Sequence, residues 1–182
     1  LKPTMTTSYE LGLEMKFFHN RLSLDVTYYN QTSRDQIINL ASSSTSGYQY
    51  RLINAGEIQN KGIEVALNGR ALQIKDFAWD FGVNFSKNSN KVKSLTEGMD
   101  YFEIERAIWC NVSVGAEVGK NFGSIIGPDF KRNANGDILI NPETGLPQYA
   151  ETTRTLGNAS WDWTGGFYHT LTYTNFRLSA AF

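Results

Sequence analysis

The sequence predicts an all-β chain, an antiparallel meander of about seven or eight strands that forms part of a transmembrane β-barrel with long extracellular loops. Three observations predict it. The first is a strict two-residue alternation. Thr7, Tyr9, Leu11, Leu13, Met15 and Phe17 hold the odd positions, and Ser8, Glu10, Gly12, Glu14 and Lys16 the even ones. Successive side chains of a strand point to opposite faces, so this segment has one apolar face and one charged or tiny face. The second is recurrence. Leu22, Leu24, Val26 and Tyr28 alternate with Ser23, Asp25, Thr27 and Tyr29, and Phe77, Trp79, Phe81, Val83 and Phe85 with Ala78, Asp80, Gly82, Asn84 and Ser86. The third is spacing: hairpin-length connections take turns with long polar ones, as periplasmic turns and extracellular loops do in bacterial barrels.

Taken in order, residues 5–17 and 22–29 are joined only by Phe18-His19-Asn20-Arg21, with Asn where a turn tolerates it. Ile63, Val65 and Leu67 give a third strand its apolar face, and a short stretch around Gly69 to Asp76 leads into the 77–86 strand. Late in the chain, Trp163, Phe167, Leu171 and Tyr173 share one face, opposed by Thr164, Gly166, Tyr168, Thr170 and Thr172. Thr174-Asn175 then turns the chain into Phe176, Leu178, Ala180 and Phe182. Asn20, Ala71 and Asn175 are expected to mark the inner rim. Residues 30–57, with the run Ser42-Ser43-Ser44-Thr45-Ser46-Gly47, and much of 87–110 read as outer loops, too long for an ordinary compact domain. Region 111–160 is rich in glycine and turn signals. Strand direction allows zero or two membrane crossings between residues 87 and 161, and the Phe122 to Phe130 run reads as one short strand.

Composition narrows the classes. Of 182 residues, 13% are aromatic, which is rich, and 41% are hydrophobic. Mean hydropathy is negative, because averaging along an alternating strand hides its lipid face. No window approaches the roughly 18 apolar residues of a membrane helix, so helical membrane proteins are excluded. A net charge of -1 gives no electrostatic footprint for nucleic acid. The single cysteine, Cys110, allows neither an internal disulfide nor a Cys-based metal site. The chain opens Leu1-Lys2-Pro3, without an initiator Met or an apolar leader, so it is expected to be an excerpt whose export signal lies upstream.

Candidate chemistry is sparse. Asn133-Ala134-Asn135-Gly136-Asp137-Ile138 imitates the middle of a calcium loop, but its first and twelfth ligand positions fall on Lys131 and Pro142. An Asn-Gly hairpin turn is the expectation there. His19 and His169 have no carboxylate at ligand spacing, no nucleophile elbow is present, and no Gly-rich phosphate loop precedes a helix. No pair stands out among the 18 acidic residues. Neither a catalytic group, a metal nor a cofactor is expected. Trp79, Trp161 and Trp163 fall near strand ends, where amphipathic rings suit a membrane–water boundary; a sandwich core would bury the same rings between two sheets. Tyr48, Tyr50, Tyr101, Tyr149 and Trp109 fall in the long loops and could stack on a sugar or simply pack.

The residues also carry a family resemblance. Leu1-Lys2-Pro3 followed by Ser8-Tyr9-Glu10-Leu11-Gly12-Leu13-Glu14 resembles the opening of a C-terminal barrel stretch in TonB-dependent transporters of the SusC/RagA type. The similarity continues through Asn20-Arg21-Leu22, Tyr28-Tyr29-Asn30-Gln31-Thr32, Asn54-Ala55-Gly56-Glu57-Ile58 and Asn60-Lys61-Gly62-Ile63-Glu64. It ends with Trp79-Asp80, Asn84-Phe85-Ser86, Leu156-Gly157-Asn158 and Gly165-Gly166-Phe167. No single piece is specific; together they cover most of the chain. The resemblance implies a fragment, residues 1–182, of a C-terminal transmembrane barrel domain of about 22 strands with a plug inside, the plug and the TonB-contacting segment lying elsewhere. It further implies a Gram-negative outer membrane, import of oligosaccharides or peptides, a SusD-like surface lipoprotein as outer lid, and energy delivered through TonB. In the family, barrel sequence continues past the position of Phe182, although Phe176, Leu178, Ala180 and Phe182 also imitate a Phe-terminated barrel end.

On this reading Tyr9, Leu11, Leu13, Leu24, Val26, Trp79, Phe81, Phe167 and Leu171 face lipid. Glu10, Glu14, Asp25, Asp80 and Asn84 face a wet lumen or the plug. Tyr48, Tyr50, Tyr101 and Trp109 are the candidate ligand-binding residues. The alternative is a soluble β-sandwich carbohydrate-binding module, whose two sheets bury the apolar faces against each other. A secreted β-rich hydrolase is a third class, and it lacks a convergent carboxylate pair.

Overall fold

The computed structural model describes residues 1–41 and 47–182, and among them there are strands but no helix. Most of the serine run, residues 42–46, lies outside the described part. The strands are β1 (Met5–Phe17), β2 (Leu22–Arg34), β3 (Ile37–Ala41), β4 (Tyr50–Asn54), β5 (Glu57–Ile74) and β6 (Phe77–Ser94). They continue with β7 (Tyr101–Arg106), β8 (Ser113–Glu117), β9 (Phe122–Phe130), β10 (Tyr149–Asn158), β11 (Thr164–Tyr173) and β12 (Phe176–Ala181). Six of them form one sheet in the order β1-β2-β5-β6-β11-β12; β7 to β10 form a four-stranded meander, and β3 pairs with β4.

The six-stranded sheet is three hairpins laid side by side. Its β1–β2, β5–β6 and β11–β12 turns are short, whereas 35–56 and 95–163 are long connections leaving from the opposite end. The crossing count is settled by the pairing of β6 directly with β11, which leaves no strand of this sheet between residues 95 and 163. The chain holds more strands than the hydrophobic alternation marks, because the long connections carry hairpins of their own. β6 runs to Ser94, so the expected loop at 87–110 begins later, and β7 lies inside it. Ala71 is not at a rim: β5 continues through Ile74, and the turn falls on Lys75-Asp76. Both differences have one cause. Outside an apolar layer both faces of a strand are wet, so a strand continues without a hydrophobic period to announce it.

Register carries the two faces from strand to strand. Leu11 pairs with Tyr28, Leu13 with Val26, Met15 with Leu24 and Phe17 with Leu22, apolar opposite apolar throughout. The other parity sets Glu10 against Tyr29, Gly12 against Thr27 and Glu14 against Asp25. Across β11, Phe167 meets Val83, His169 meets Phe81 and Leu171 meets both Trp79 and Leu178, while Thr170 meets Asp80 and Ser179. Directly opposite residues share a face, so both faces are continuous within each of these pairings. On the apolar side His169 stacks on Phe167 at 5.7 Å between ring centres, and Trp163, just ahead of β11, stacks on Phe85 at 6.0 Å.

The chain divides into two compact units, one of residues 2–36, 59–90 and 161–182, the other of 37–58 and 91–160 with Leu1. The described residues contain almost no hydrophobic core: Ala55, Ile58, Val92 and Ala116 are its buried apolar members. Leu11 is 73% exposed, Leu178 66% and Phe176 78%. An apolar face this open is not the inside of a sandwich.

On the polar face the strands lock together by tyrosines lying over glycines. Tyr29 of β2 covers Gly62 of β5, where an added Cβ would stand 2.5 Å from its hydroxyl oxygen, and Tyr168 of β11 covers its register partner Gly82 of β6. The Tyr168 hydroxyl continues past Gly82 to donate to Asn68 Oδ1 at 2.9 Å. Gly82→Ala is therefore expected to destabilise the sheet by about 1–3 kcal/mol. Adding Tyr168→Ala should recover part of that loss. Heat-modifiable gel mobility of the full-length protein in detergent measures both, and a Gly82→Ala protein as heat-stable as the parent would contradict the joint.

Candidate functional site

The polar face is built by parity. β5 and β6 present Asn60, Gly62, Glu64, Asn68 and Arg70 beside Asp80, Gly82, Asn84, Asn88 and Asn90, all at even positions. Near the short turns, Arg70 donates from Nε to Asp80 Oδ1 at 2.7 Å and from Nη1 to Gln73 Oε1 at 3.1 Å. With Ser23, Asn68 and Tyr168 these residues line a depression of about 470 Å3. A second depression of about 300 Å3 gathers Asp25, Glu64 and Asn84. Further along is a relay of neutral groups. Tyr29 donates from its hydroxyl to Asn88 Oδ1 at 3.1 Å, and Asn88 and Asn90 donate from Nδ2 to Asn60 Oδ1 at 3.3 and 2.8 Å.

Of the residues expected to face a lumen, Asp80 sits in the first depression, and Asp25 and Asn84 come together in the second. Glu10 and Glu14 are exposed on the same face of β1, with Glu14 held by Lys16 at 2.8 Å. The sequence reading missed Asn60, Glu64, Asn68, Arg70, Asn88 and Asn90, and it placed Tyr168 on the polar face of its strand without giving it a site role. The same parity rule, carried the full length of β5 and β6, would have found the first six.

The residues expected to face lipid share the other parity in β1, β2, β6 and β11, as the register above requires. Leu22 of β2, Gly69 of β5 and Phe81 of β6 meet on that side, which extends it across the middle of the sheet.

The loop aromatics divide. Within the unit holding β3, β4 and β7 to β10, Tyr50 and Tyr101 line one depression of about 510 Å3 together with Asn39, Phe102 and Arg106. Tyr101 is half-buried, its ring over Gly115 and its hydroxyl 2.9 Å from Ser113 Oγ. Tyr48 is exposed, and Trp109, in the β7–β8 turn, is 95% exposed. Arg106 grips Glu103 with two guanidinium nitrogens, the shorter contact 2.6 Å, and this hydrogen bond holds the Glu103 carboxyl below its ordinary value. A depressed carboxylate stabilises the fold above its unfolded pKa, and that contribution is lost as pH falls through the folded one.

The calcium-like segment is a turn. Asn133 Oδ1 accepts from the backbone N–H groups of Asn135 and Asp137, each at 2.9 Å, and Arg132 bridges to Ile138. Among the described residues no group of three or more His, Cys, Asp or Glu is placed to hold a metal. The polar face thus offers hydroxyls, amides and a fixed ion pair, the equipment of a surface that adsorbs polar matter.

Comparison with known proteins returns a barrel family. A family model described as "TonB dependent receptor-like, beta-barrel" matches residues 1–181. The chain belongs to this TonB-dependent receptor barrel family. It is 27% identical to TonB-dependent receptor P3 of Formosa agariphila over all of its own length and 20% of that protein. To TonB-dependent receptor SusC of Bacteroides thetaiotaomicron it is 28% identical over 55% of its length and 10% of the relative. The fold matches the RagAB peptide transporter structure with a TM-score of 0.75 and 22% identity, covering 97% of this chain and 20% of the other. The chain thus spans about one fifth of the length of the relatives matched along its whole course. The family places this TonB-dependent receptor barrel chain in the outer membrane of a Gram-negative bacterium.

In this receptor wall the Arg70–Asp80 pair is partly exposed, with side-chain exposures of 42% and 37%. A double-mutant cycle of Arg70→Ala and Asp80→Ala in the full-length protein should return a coupling of about 0.2–1 kcal/mol that shrinks in high salt. A coupling well above that range would mean the face is dry.

Proposed function

We propose that residues 1–182 are a section of barrel wall, with its outer loops, from a TonB-dependent, SusC-like importer of oligosaccharides or peptides. One observation carries this reading: the register joins apolar to apolar and polar to polar in the β1–β2 and β11–β12 hairpins and between β6 and β11, as a sheet that separates hydrocarbon from water requires. The sheet's edge strands β1 and β12 would pair with further strands of a larger barrel, since a membrane tolerates no unpaired edge. The neutral amide and hydroxyl relay on the polar face suits polar oligomers, whose hydroxyls or peptide groups exchange hydrogen bonds with water for hydrogen bonds with the wall. The whole protein would work with a SusD-like lipoprotein as lid and draw energy through TonB, and it is not an enzyme. The name of one structural relative, the RagAB peptide transporter, supports the peptide class; the oligosaccharide class rests on the resemblance of the sequence to SusC-type transporters.

Uptake of fluorescent oligosaccharides and of fluorescent peptides by whole cells tests the proposal. At least one class should enter the parent strain, fail to enter when the gene for the whole protein is deleted, and stop entering when a protonophore collapses the proton gradient. Unchanged uptake of both in the deletion strain would contradict it. Tyr50→Ala and Trp109→Ala in the full-length protein should each weaken the affinity of the imported substrate by about 1–2 kcal/mol, the range of an aromatic anchor. Titration of purified protein measures it, and unaltered affinity in both would remove the loop aromatics from the binding surface.

A further inference from the structure

The lipid-facing side changes character toward the end of the sheet that carries the long connections. Along β6 the outward positions run Phe77, Trp79, Phe81, Val83, Phe85 and then Lys87 and Ser89; along β5 they pass from Leu67, Val65 and Ile63 to Lys61. On β2, Tyr28 holds the same face. These residues close on one another. Tyr28, Lys61, Gly62, Ile63, Lys87 and Ser89 line a shallow depression of about 380 Å3. Both lysines, the tyrosine and the serine are exposed. No carboxylate lines the depression, and among the described residues neither ammonium is placed in an ion pair. Outward strand positions at the opposite end include Phe17, Phe77, Tyr173 and Phe176, and Arg21 and Lys75, two cations at that end, lie in the turns.

We propose that this depression is a docking site for the phosphate-bearing headgroup of a membrane lipid in the leaflet on the side of the long connections. The inference rests on the wall reading above, in which this face meets lipid. Lysine stems lie along apolar surface while their ammonium groups reach the headgroup level, and tyrosine settles at the same boundary. Two ammonium groups and the Ser89 and Tyr28 hydroxyls supply donors to phosphate oxygens, which accept without contributing a proton of their own. Acyl chains attached to such a headgroup continue over Ile63, Val83 and Phe85, each more than a third exposed. The headgroup thus meets donors and the chains meet hydrocarbon in the order in which a lipid presents them.

The test uses the full-length protein in nanodiscs of phosphatidylcholine doped with phosphatidylglycerol, with retained phosphatidylglycerol counted by native mass spectrometry. Near-surface lysines attract anionic lipid strongly enough that either single change, Lys61→Gln or Lys87→Gln, should lower the enrichment about fivefold, and the double change roughly thirtyfold. Lys75→Gln, in the turn at the other end, should leave it unchanged, and Lys61→Arg with Lys87→Arg should retain it. Enrichment that survives the double change overturns the proposal, as does displacement of the lipid by millimolar inorganic phosphate, which would make the site one for free anions. Quenching of Trp79 by brominated phosphatidylcholine in the same nanodiscs reports on the wall reading separately. Quenched Trp79 without lysine-dependent enrichment sinks only the lipid site, whereas unquenched Trp79 sinks both.

Discussion

Everything in this chain depends on keeping backbone hydrogen bonds paired while the two faces of one sheet meet different solvents. A peptide group left unpaired in hydrocarbon costs several kcal/mol, so the strands must be continuous and in register through the apolar layer. Register in turn fixes which residues share a face, because a slip of one residue would carry Leu11 and Leu13 to the polar side and Glu10 and Glu14 to the apolar side. The hairpin turns hold that register. Residues 18 to 20 all take left-handed backbone conformations, and Thr174 and Lys75 do so at the start of the other two turns.

Stability in such a wall does not come from a core of its own. Among the described residues the buried apolar ones are few and small, so on the proposed wall reading the energy that a soluble domain draws from interior packing comes from lipid on one face and from interstrand bonds along the other. The tyrosine–glycine joints serve the second purpose. Each removes a side chain so that a ring can lie across the neighbouring strand, adding contact area where there is no hydrophobic filling. The polar cluster of Arg70, Asp80, Asn68 and Tyr168 ties three strands together near the short turns by the same economy of hydrogen bonds.

The sequence was most legible where the solvents differ most. Between Tyr9 and Phe17, or Phe77 and Phe85, the alternation alone assigns strand and face. It fell silent where both faces are wet: β6 past Phe85 reads Ser86, Lys87, Asn88, Ser89, Asn90, and nothing in that run distinguishes strand from loop. The four-stranded meander was hidden for a different reason: β8 and β9 are buried or half-buried on both faces, and Gly115, Gly123 and Gly127 break any two-residue period. The polar depressions were half legible. Asp25, Asp80 and Asn84 follow from strands the alternation marks, but Asn68 and Arg70 required knowing that β5 runs on past the point where a turn was expected.

The central claim is that one parity meets hydrocarbon and the other meets water. It is tested most directly by placing a spin label at each position from 9 to 14 in the full-length protein, with Cys110, the exposed free cysteine, changed to serine. In lipid bilayers, collision with oxygen should peak at positions 9, 11 and 13, and collision with a water-soluble nickel complex at 10, 12 and 14. Accessibility without a two-residue period, or with these phases reversed, would contradict the account.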